Sequence, residues 1–234
     1  MSRQVQELFA SIAPSYDFLN HFMSLSIDKK WREKALAKIK PNTSGPILDL
    51  CAGTLDLTQR LQEIFPKNQI FSVDFTLPML EQGKGKLNKQ HSSQLLCGDG
   101  HHLPLQSESF DAVICAFGIR NLEQREQAAE EIYRILKPGG QLVVLEFFRP
   151  ENFLSKLFYQ SYGKFIIPWL GGIFSKNRQA YQYLQNSILD FFSISEYEDF
   201  LSTQHFDKIS SSPLSSGIAY CVEAHKKIEK RSFA

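Results

Sequence analysis

Four carboxylates, one guanidinium and one carboxamide stand where apolar runs of this chain end, and residues so placed can do chemistry. Ile47-Leu48-Asp49-Leu50 runs into Cys51-Ala52-Gly53-Thr54, and Asp56 opens an amphipathic stretch through Leu57, Leu61, Ile64 and Phe65. A second run, Ile70-Phe71-Ser72-Val73, ends at Asp74, 20 residues beyond Thr54. A third, Leu95-Leu96-Cys97, leads into Gly98-Asp99-Gly100, and a fourth, Phe110 to Ala116, leads into Phe117-Gly118-Ile119-Arg120-Asn121. A small-residue turn after a strand lets backbone approach a ligand at the carboxyl end of a parallel sheet. A carboxylate closing the next strand can accept both hydroxyl protons of a ribose.

The nucleotide that fits is set by charge. A pyrophosphate needs G-x-G-x-x-G before a helix amino terminus, whereas the turn here holds only Gly53 and is flanked by Asp49 and Asp56. Those carboxylates repel a diphosphate and suit a cofactor carrying an ammonium and a sulfonium, which points to S-adenosylmethionine. Asp99, at the third strand's end, can accept from an adenine amino group. Asp49, Gly53, Thr54, Asp74, Asp99, Gly100 and Ala116 form the expected cofactor set. The plainer alternative is an ordinary strand-turn-helix with surface acids.

Five strands between Pro46 and about Arg149 alternate with helical stretches, as in a doubly wound α/β fold with a mostly parallel sheet. One helix carries Ala128, Ala129, Ile132, Ile135 and Leu136 and stops at Lys137-Pro138-Gly139-Gly140, and the fifth strand is Leu142 to Phe147. Residues 4 to about 40 read as helical, with Trp31-Arg32 packing an indole on the sheet. Phe206-Asp207-Lys208-Ile209 and Ile218 to Ala224 alternate as a closing antiparallel hairpin, followed by a charged tail from Lys226. The chain is expected to be one domain: a helical lid over 1–45, a cofactor-binding core over 46–150, an aromatic cap over 151–204 and a hairpin over 205–225.

Several pieces in order resemble the ubiquinone/menaquinone biosynthesis C-methyltransferases: Phe9 to Asp17 with Ala13-Pro14-Ser15-Tyr16-Asp17, Asp49 to Asp56, Val73-Asp74-Phe75, Phe117 to Asn121, and Arg134 to Gly140 with Leu145-Glu146-Phe147. The resemblance spans about Phe9 to Leu201. Its specific elements are Phe-Gly-Ile-Arg-Asn and Ala-Pro-Ser-Tyr-Asp, since Lys-Pro-Gly-Gly is shared by many methyltransferases. It implies a class I S-adenosylmethionine-dependent methyltransferase fold, a lipophilic quinol as acceptor, and Tyr16 and Asp17 in a lid over the cofactor that excludes water. Turn chemistry alone also explains that segment.

One position departs from the family, which usually has glycine where this chain has Leu55. Glycine permits positive φ and close backbone approach, so a leucine could crowd the cofactor. If the helix begins at Thr54, Leu55 can adopt ordinary helical geometry. Weakened or re-angled cofactor binding is expected, rather than none.

The chain has 234 residues and a formal net charge of +1, enough for one substantial domain, with acids and bases mixed throughout. The absence of a basic stripe with interleaved aromatics disfavours a nucleic-acid substrate. The cysteines at 51, 97, 115 and 221 stand singly, as structural reduced thiols do. No signal-peptide core or membrane-length apolar run is present. A cytoplasmic protein is expected, with peripheral membrane contact inferred from the acceptor's greasiness and homodimerisation left open. The pair His101-His102 reads as a solvated loop, and no metal is expected. Phe153, Phe158, Tyr159, Tyr162, Phe165, Trp169, Phe174, Tyr181, Tyr183, Phe191 and Phe192 crowd the cap. They pack helices onto the core, form an apolar wall for a lipid-like acceptor, or do both.

Methyl transfer from a sulfonium is a direct displacement, so the protein must align the nucleophile and exclude water. For a quinol, that nucleophile is a ring carbon activated when the adjacent hydroxyl loses its proton. Arg120 is expected to stabilise the phenolate or orient a water, and Asn121 to hold that water or the ring oxygen. A loop salt bridge from Arg120 to Glu123 or Glu126 is the structural alternative. Glu146 either faces the acceptor or pairs with a buried cation. Three other functions stay open: a methyltransferase for another small apolar acceptor such as a phenol or sterol, a cofactor-poor scaffold, and, weakest, a nicotinamide dehydrogenase.

Overall fold

The computed structural model describes residues 3–17, 24, 26–40, 43–151, 153, 156–157, 159 and 178–228. Much of the aromatic cap, with Phe158, Tyr162, Phe165, Trp169 and Phe174, lies outside the described residues.

The central strands β1, β2 and β4 are short and apolar because both of their faces are covered. The four residues of β1 (Ile47–Leu50) are all buried. Along β4 (Phe110–Ala116), Ala112 and Ile114 face one apolar cluster while Val113 and Cys115 face the other, the two-residue period of a strand. With β2 (Ile70–Asp74), β3 (Ser93–Cys97), β5 (Leu136–Glu146), β6 (Phe206–Leu214) and β7 (Ala219–Lys226), they form a seven-stranded sheet in the order β3-β2-β1-β4-β5-β7-β6. The first five strands are parallel, and β7 runs antiparallel between β5 and β6.

The helices cover both faces. On one side, α2 (Ile27–Leu36) and α3 (Asp56–Ile64) bring Trp31, Ala35, Leu36, Leu57 and Leu61 onto Ile47, Ile70 and Val143. On the other, α5 (Arg125–Ile135) and α7 (Ile194–Thr203) pack Ala128, Ile132, Tyr197 and Leu201 against Val113, Leu142 and Val222. α7 is fixed at its start by a capping box between Ser193 and Glu196. α1 (Arg3–Ile12) contacts both α4 (Leu77–Gly83) and α6 (Arg178–Leu189). Trp31 is buried and donates its indole N–H to the Ser215 hydroxyl at 3.0 Å.

Three local expectations change. The amino-terminal segment is not one helical run: α1 ends at Ile12, a short 3-10 turn spans Ala13–Ser15, and α2 begins at Ile27. β5 begins at Leu136 rather than Leu142, because Phe110 pairs with Leu136 and Ala112 with Gln141, so Lys137 to Gly140 bulge from the ladder opposite Asp111. Lys137 holds that bulge through the Asp111 carboxylate at 2.5 Å. α3 begins at Asp56, not Thr54, and Leu55 is its N-cap in the left-handed region at φ 66°.

Candidate active site

The turn after β1 reverses the chain tightly. Cys51, Gly53 and Leu55 all have positive φ (58°, 53° and 66°), and the Leu55 N–H returns to the Ala52 carbonyl at 3.0 Å. Phe117, after β4, also sits at φ 59°. Side-chain-bearing residues enter this region at a cost of roughly 1–3 kcal/mol each, and such strain concentrates where binding sites are built.

Between these two turns a cleft opens at the carboxyl ends of β1, β2 and β4, lined by Phe9, Tyr16, Cys51, Gly53, Asp74, Thr76, Met79, Ala116, Phe117, Gly118 and Asn121. Asp74 Oδ2 accepts the Gly53 N–H and its Oδ1 the Thr76 N–H, both at 2.8 Å, which ties the end of β2 to the glycine turn. Burial nonetheless raises the Asp74 pKa. A Cβ on Gly53 would point at the Tyr16 ring 4.0 Å away, so the missing side chain keeps the space under that ring open. A backbone turn, a strand-end carboxylate and an aromatic roof suit S-adenosylmethionine, which presents a ribose and two cationic centres.

The expected cofactor residues divide. Gly53, Asp74 and Ala116 line the cleft, as do Tyr16 and Asn121. Asp49 lies beneath it, 1% exposed, accepting the Thr58 hydroxyl at 2.6 Å, and burial pushes its carboxyl up to about 7. Thr54 is buried and donates its hydroxyl to Asp17. Asp56 holds Lys86 Nζ at 2.5 Å, and the same ammonium holds Asp17 at 2.5 Å. Of the carboxylates the sequence places around the turn, Asp74 alone among the described residues lines the cleft. The others already have cationic or hydroxyl partners.

Asp99 contacts both the backbone N–H of His101, at 3.0 Å, and its Nδ1, at 2.6 Å. Burial acts to raise its pKa, but the His101 contacts outweigh this and hold it below the ordinary carboxylate range. His101 Nε2 accepts the Gln124 N–H at 3.2 Å, which places the ring proton on Nδ1, facing Asp99. His101 is therefore a buried strut, 3% exposed, tying the loop after β3 to the start of α5, and not a solvated loop residue. Gly100 is buried beside Leu122, whose Cδ2 would lie 3.0 Å from an added Cβ.

Leu55 does not crowd the cleft. Its side chain is fully buried among Ala52 and Leu80, packs with Leu87 and Leu95, and is not among the lining residues. Room comes from Gly83, where a Cβ would lie 2.3 Å from the Thr54 carbonyl and 2.8 Å from Leu55 Cγ.

Arg120 forms a buried ion pair with Glu146. Its Nη1 donates to Glu146 Oε1 at 2.6 Å and to the Phe117 carbonyl at 2.7 Å, and its Nε to Ser187 Oγ at 3.3 Å. Both members are deeply buried, and Glu146 also accepts the Phe147 N–H at 2.8 Å. Burial pushes the Glu146 pKa up while Arg120 pulls it down, and the net shift is upward. Arg120 thus braces the Phe117–Asn121 turn from behind and is not among the cleft-lining residues. Asn121, 5% exposed, lines the cleft and accepts the Tyr183 hydroxyl at 2.8 Å.

Phe9, Cys51, Thr76, Met79, Phe117 and Gly118 line the cleft without having been singled out as site residues, and Lys86 joins Asp17 to Asp56. Thr76 had a signal, since a strand-end aspartate can accept the backbone N–H two residues on. Lys86 had none. Cys51 and burial together raise the pKa of the buried Cys115 well above that of a free thiol, so Cys115 is no nucleophile at neutral pH. Among the described residues, no group of three histidine, cysteine or acidic side chains is placed to hold a metal, and no helix is long and apolar enough to cross a membrane.

The fold is shared with solved methyltransferases. A SAM-dependent methyltransferase from Thermotoga maritima has a TM-score of 0.68 at 20% identity, covering 94% of this chain and 99% of that one. Phosphoethanolamine N-methyltransferase 2 of Haemonchus contortus, solved with S-adenosyl-L-methionine, gives 0.63 at 15% identity, covering 84% of this chain and 52% of that one. In sequence, the ubiquinone/menaquinone biosynthesis C-methyltransferase UbiE of Geotalea daltonii is 40% identical over 220 residues, 87% of this chain and 91% of that protein. The demethylmenaquinone methyltransferase of Bacteroides fragilis is 36% identical over 228 residues, 96% and 93% of the two. The model of the ubiE/COQ5 methyltransferase family matches residues 1–226, and the chain belongs to that family.

Proposed function

We propose that this protein transfers a methyl group from S-adenosylmethionine to a ring carbon of a polyprenyl quinol, demethylmenaquinol before the ubiquinone-pathway benzoquinol. The carrying observation is the cleft in which Gly53 and Asp74 meet Tyr16 and Asn121, in a chain whose full-length relatives bear those names. When bound, S-adenosylmethionine supplies a methyl group activated by its sulfonium. Asp74 would accept the ribose hydroxyls, the Gly53 backbone would lie against the amino-acid portion, and Asp99 would accept from the adenine amino group. Tyr16, held in place by Asp17 through Thr54 and Lys86, excludes water. Asn121 meets the ring oxygen, and Arg120 fixes the turn that carries it.

The acceptor arrives from a lipid phase. In support, Phe153 and Leu157 are 76% and 49% exposed, large apolar side chains of the kind that insert at a membrane surface. Purified protein given methyl-labelled S-adenosylmethionine with a demethylated prenyl naphthoquinol or the corresponding benzoquinol tests the proposal. Label on the naphthoquinol ring carbon is expected. Cofactor binding with no transfer to either quinol would refute the proposed acceptor.

A further inference from the structure

We propose that Tyr183, on α6, is a positioning residue for the acceptor: its hydroxyl locks the Asn121 carboxamide in the orientation that presents its N–H donors to the quinol oxygen. This rests on the quinol reading above. Tyr183 O–H donates to Asn121 Oδ1 at 2.8 Å, so the amide's other end, Nδ2, is turned away from Tyr183. Among the described residues no acceptor meets Nδ2, although Asn121 is 95% buried, at 5% exposure, and lines the cleft. A buried amide with two unused donors costs stability unless a ligand takes them up. The group that needs such donors is an oxygen gaining negative charge, as a quinol oxygen does when its ring carbon attacks.

The neighbouring cation is tied to the turn: Arg120 donates from Nη1 to Glu146 and Phe117 and from Nε to Ser187. Tyr183 itself is held firmly, its ring meeting Phe9 edge-on at a centroid distance of 6.1 Å, and Phe9 meeting Tyr16 at 6.1 Å. The amide orientation is thereby joined to the segment roofing the cleft. Burial raises the Tyr183 pKa, so the hydroxyl stays protonated and remains a donor throughout the neutral range.

The test is a kinetic double-mutant cycle with Tyr183→Phe and Asn121→Ala, joined to an optical titration. Tyr183→Phe keeps the ring contact with Phe9 and removes only the hydroxyl. It should lower kcat about 3- to 10-fold, the size of one neutral hydrogen bond, and leave S-adenosylhomocysteine affinity unchanged. In the Asn121→Ala background the same change should cost almost nothing. A methyl-blocked 4-methoxy-1-naphthol, whose absorbance shifts on ionisation, reads the donors directly. Wild-type protein should lower its pKa, and both single variants should lose that shift. Equal losses from Tyr183→Phe in both backgrounds, or a naphthol pKa that Tyr183→Phe leaves at its wild-type value, overturns the role of Tyr183. A naphthol whose pKa wild-type protein does not move overturns the acceptor reading, and the inference with it.

Discussion

Glu146, the last residue of β5, holds Arg120 by a 2.6 Å ion pair with the carboxylate fully buried and the guanidinium side chain 6% exposed. That contact anchors the turn that carries Phe117 and Asn121 into the cleft. Breaking a buried pair by removing one partner strands the other charge and typically costs 3–5 kcal/mol. Arg120→Ala and Glu146→Ala should each lower the unfolding free energy by about 3 kcal/mol in urea titration, and the double variant by much less than twice that. Arg120→Ala at wild-type stability would show that the guanidinium's task lies in the reaction.

Leu55→Gly sets two effects against each other. It relieves a left-handed leucine, worth roughly 1 kcal/mol, and empties a buried site whose loss costs about 2–5 kcal/mol. A net destabilisation of about 2 kcal/mol is expected, with S-adenosylmethionine affinity unchanged, because the side chain faces Ala52 and Leu80. Calorimetry showing tighter cofactor binding in Leu55→Gly would mean the leucine does reach the cleft.

Lys86 joins Asp17 of the roofing segment to Asp56 at the start of α3. Lys86→Met leaves those carboxylates to repel one another and frees the segment. The apparent S-adenosylmethionine KM should rise several-fold, and limited proteolysis near Asp17 should quicken. Lys86→Arg should restore both.

Asp49 ties stability to pH. Its folded pKa is about 7, against about 3.9 when unfolded, so between those values the folded chain holds a proton that the unfolded chain has lost. Stability from this group is therefore present below pH 4 and lost progressively as pH rises to 7. Asp49→Asn should flatten that slope, gaining on wild type by a few kcal/mol between pH 5 and pH 8 in chemical denaturation. Parallel curves for the two proteins would show that Asp49 is ionised throughout.

Much of this was legible in the chain. The strands could be read because each is an apolar run closed by a turn, and Asp74 and Gly53 because spacing alone places them at neighbouring strand ends. Partners across long separations were not legible. Arg120 with Glu146, Lys86 with Asp17, and Tyr183 with Asn121 are joined by the winding of the sheet, and no local pattern in the sequence marks them. Leu55 misled for a local reason: glycine is the usual solution for positive φ, and here a buried leucine adopts it because Gly83 makes room.

The proposed site gives Asp74 the ribose hydroxyls, so the most direct measurement is calorimetric titration of S-adenosylhomocysteine into wild-type protein and Asp74→Asn. The variant keeps the shape of the side chain and an acceptor for the Gly53 N–H. Wild type should bind, and Asp74→Asn should bind roughly 10- to 100-fold more weakly, the value of a charge-assisted hydrogen bond to the ribose. Equal affinities would place the adenosine outside the cleft between Gly53 and Asp74 and contradict the site described above.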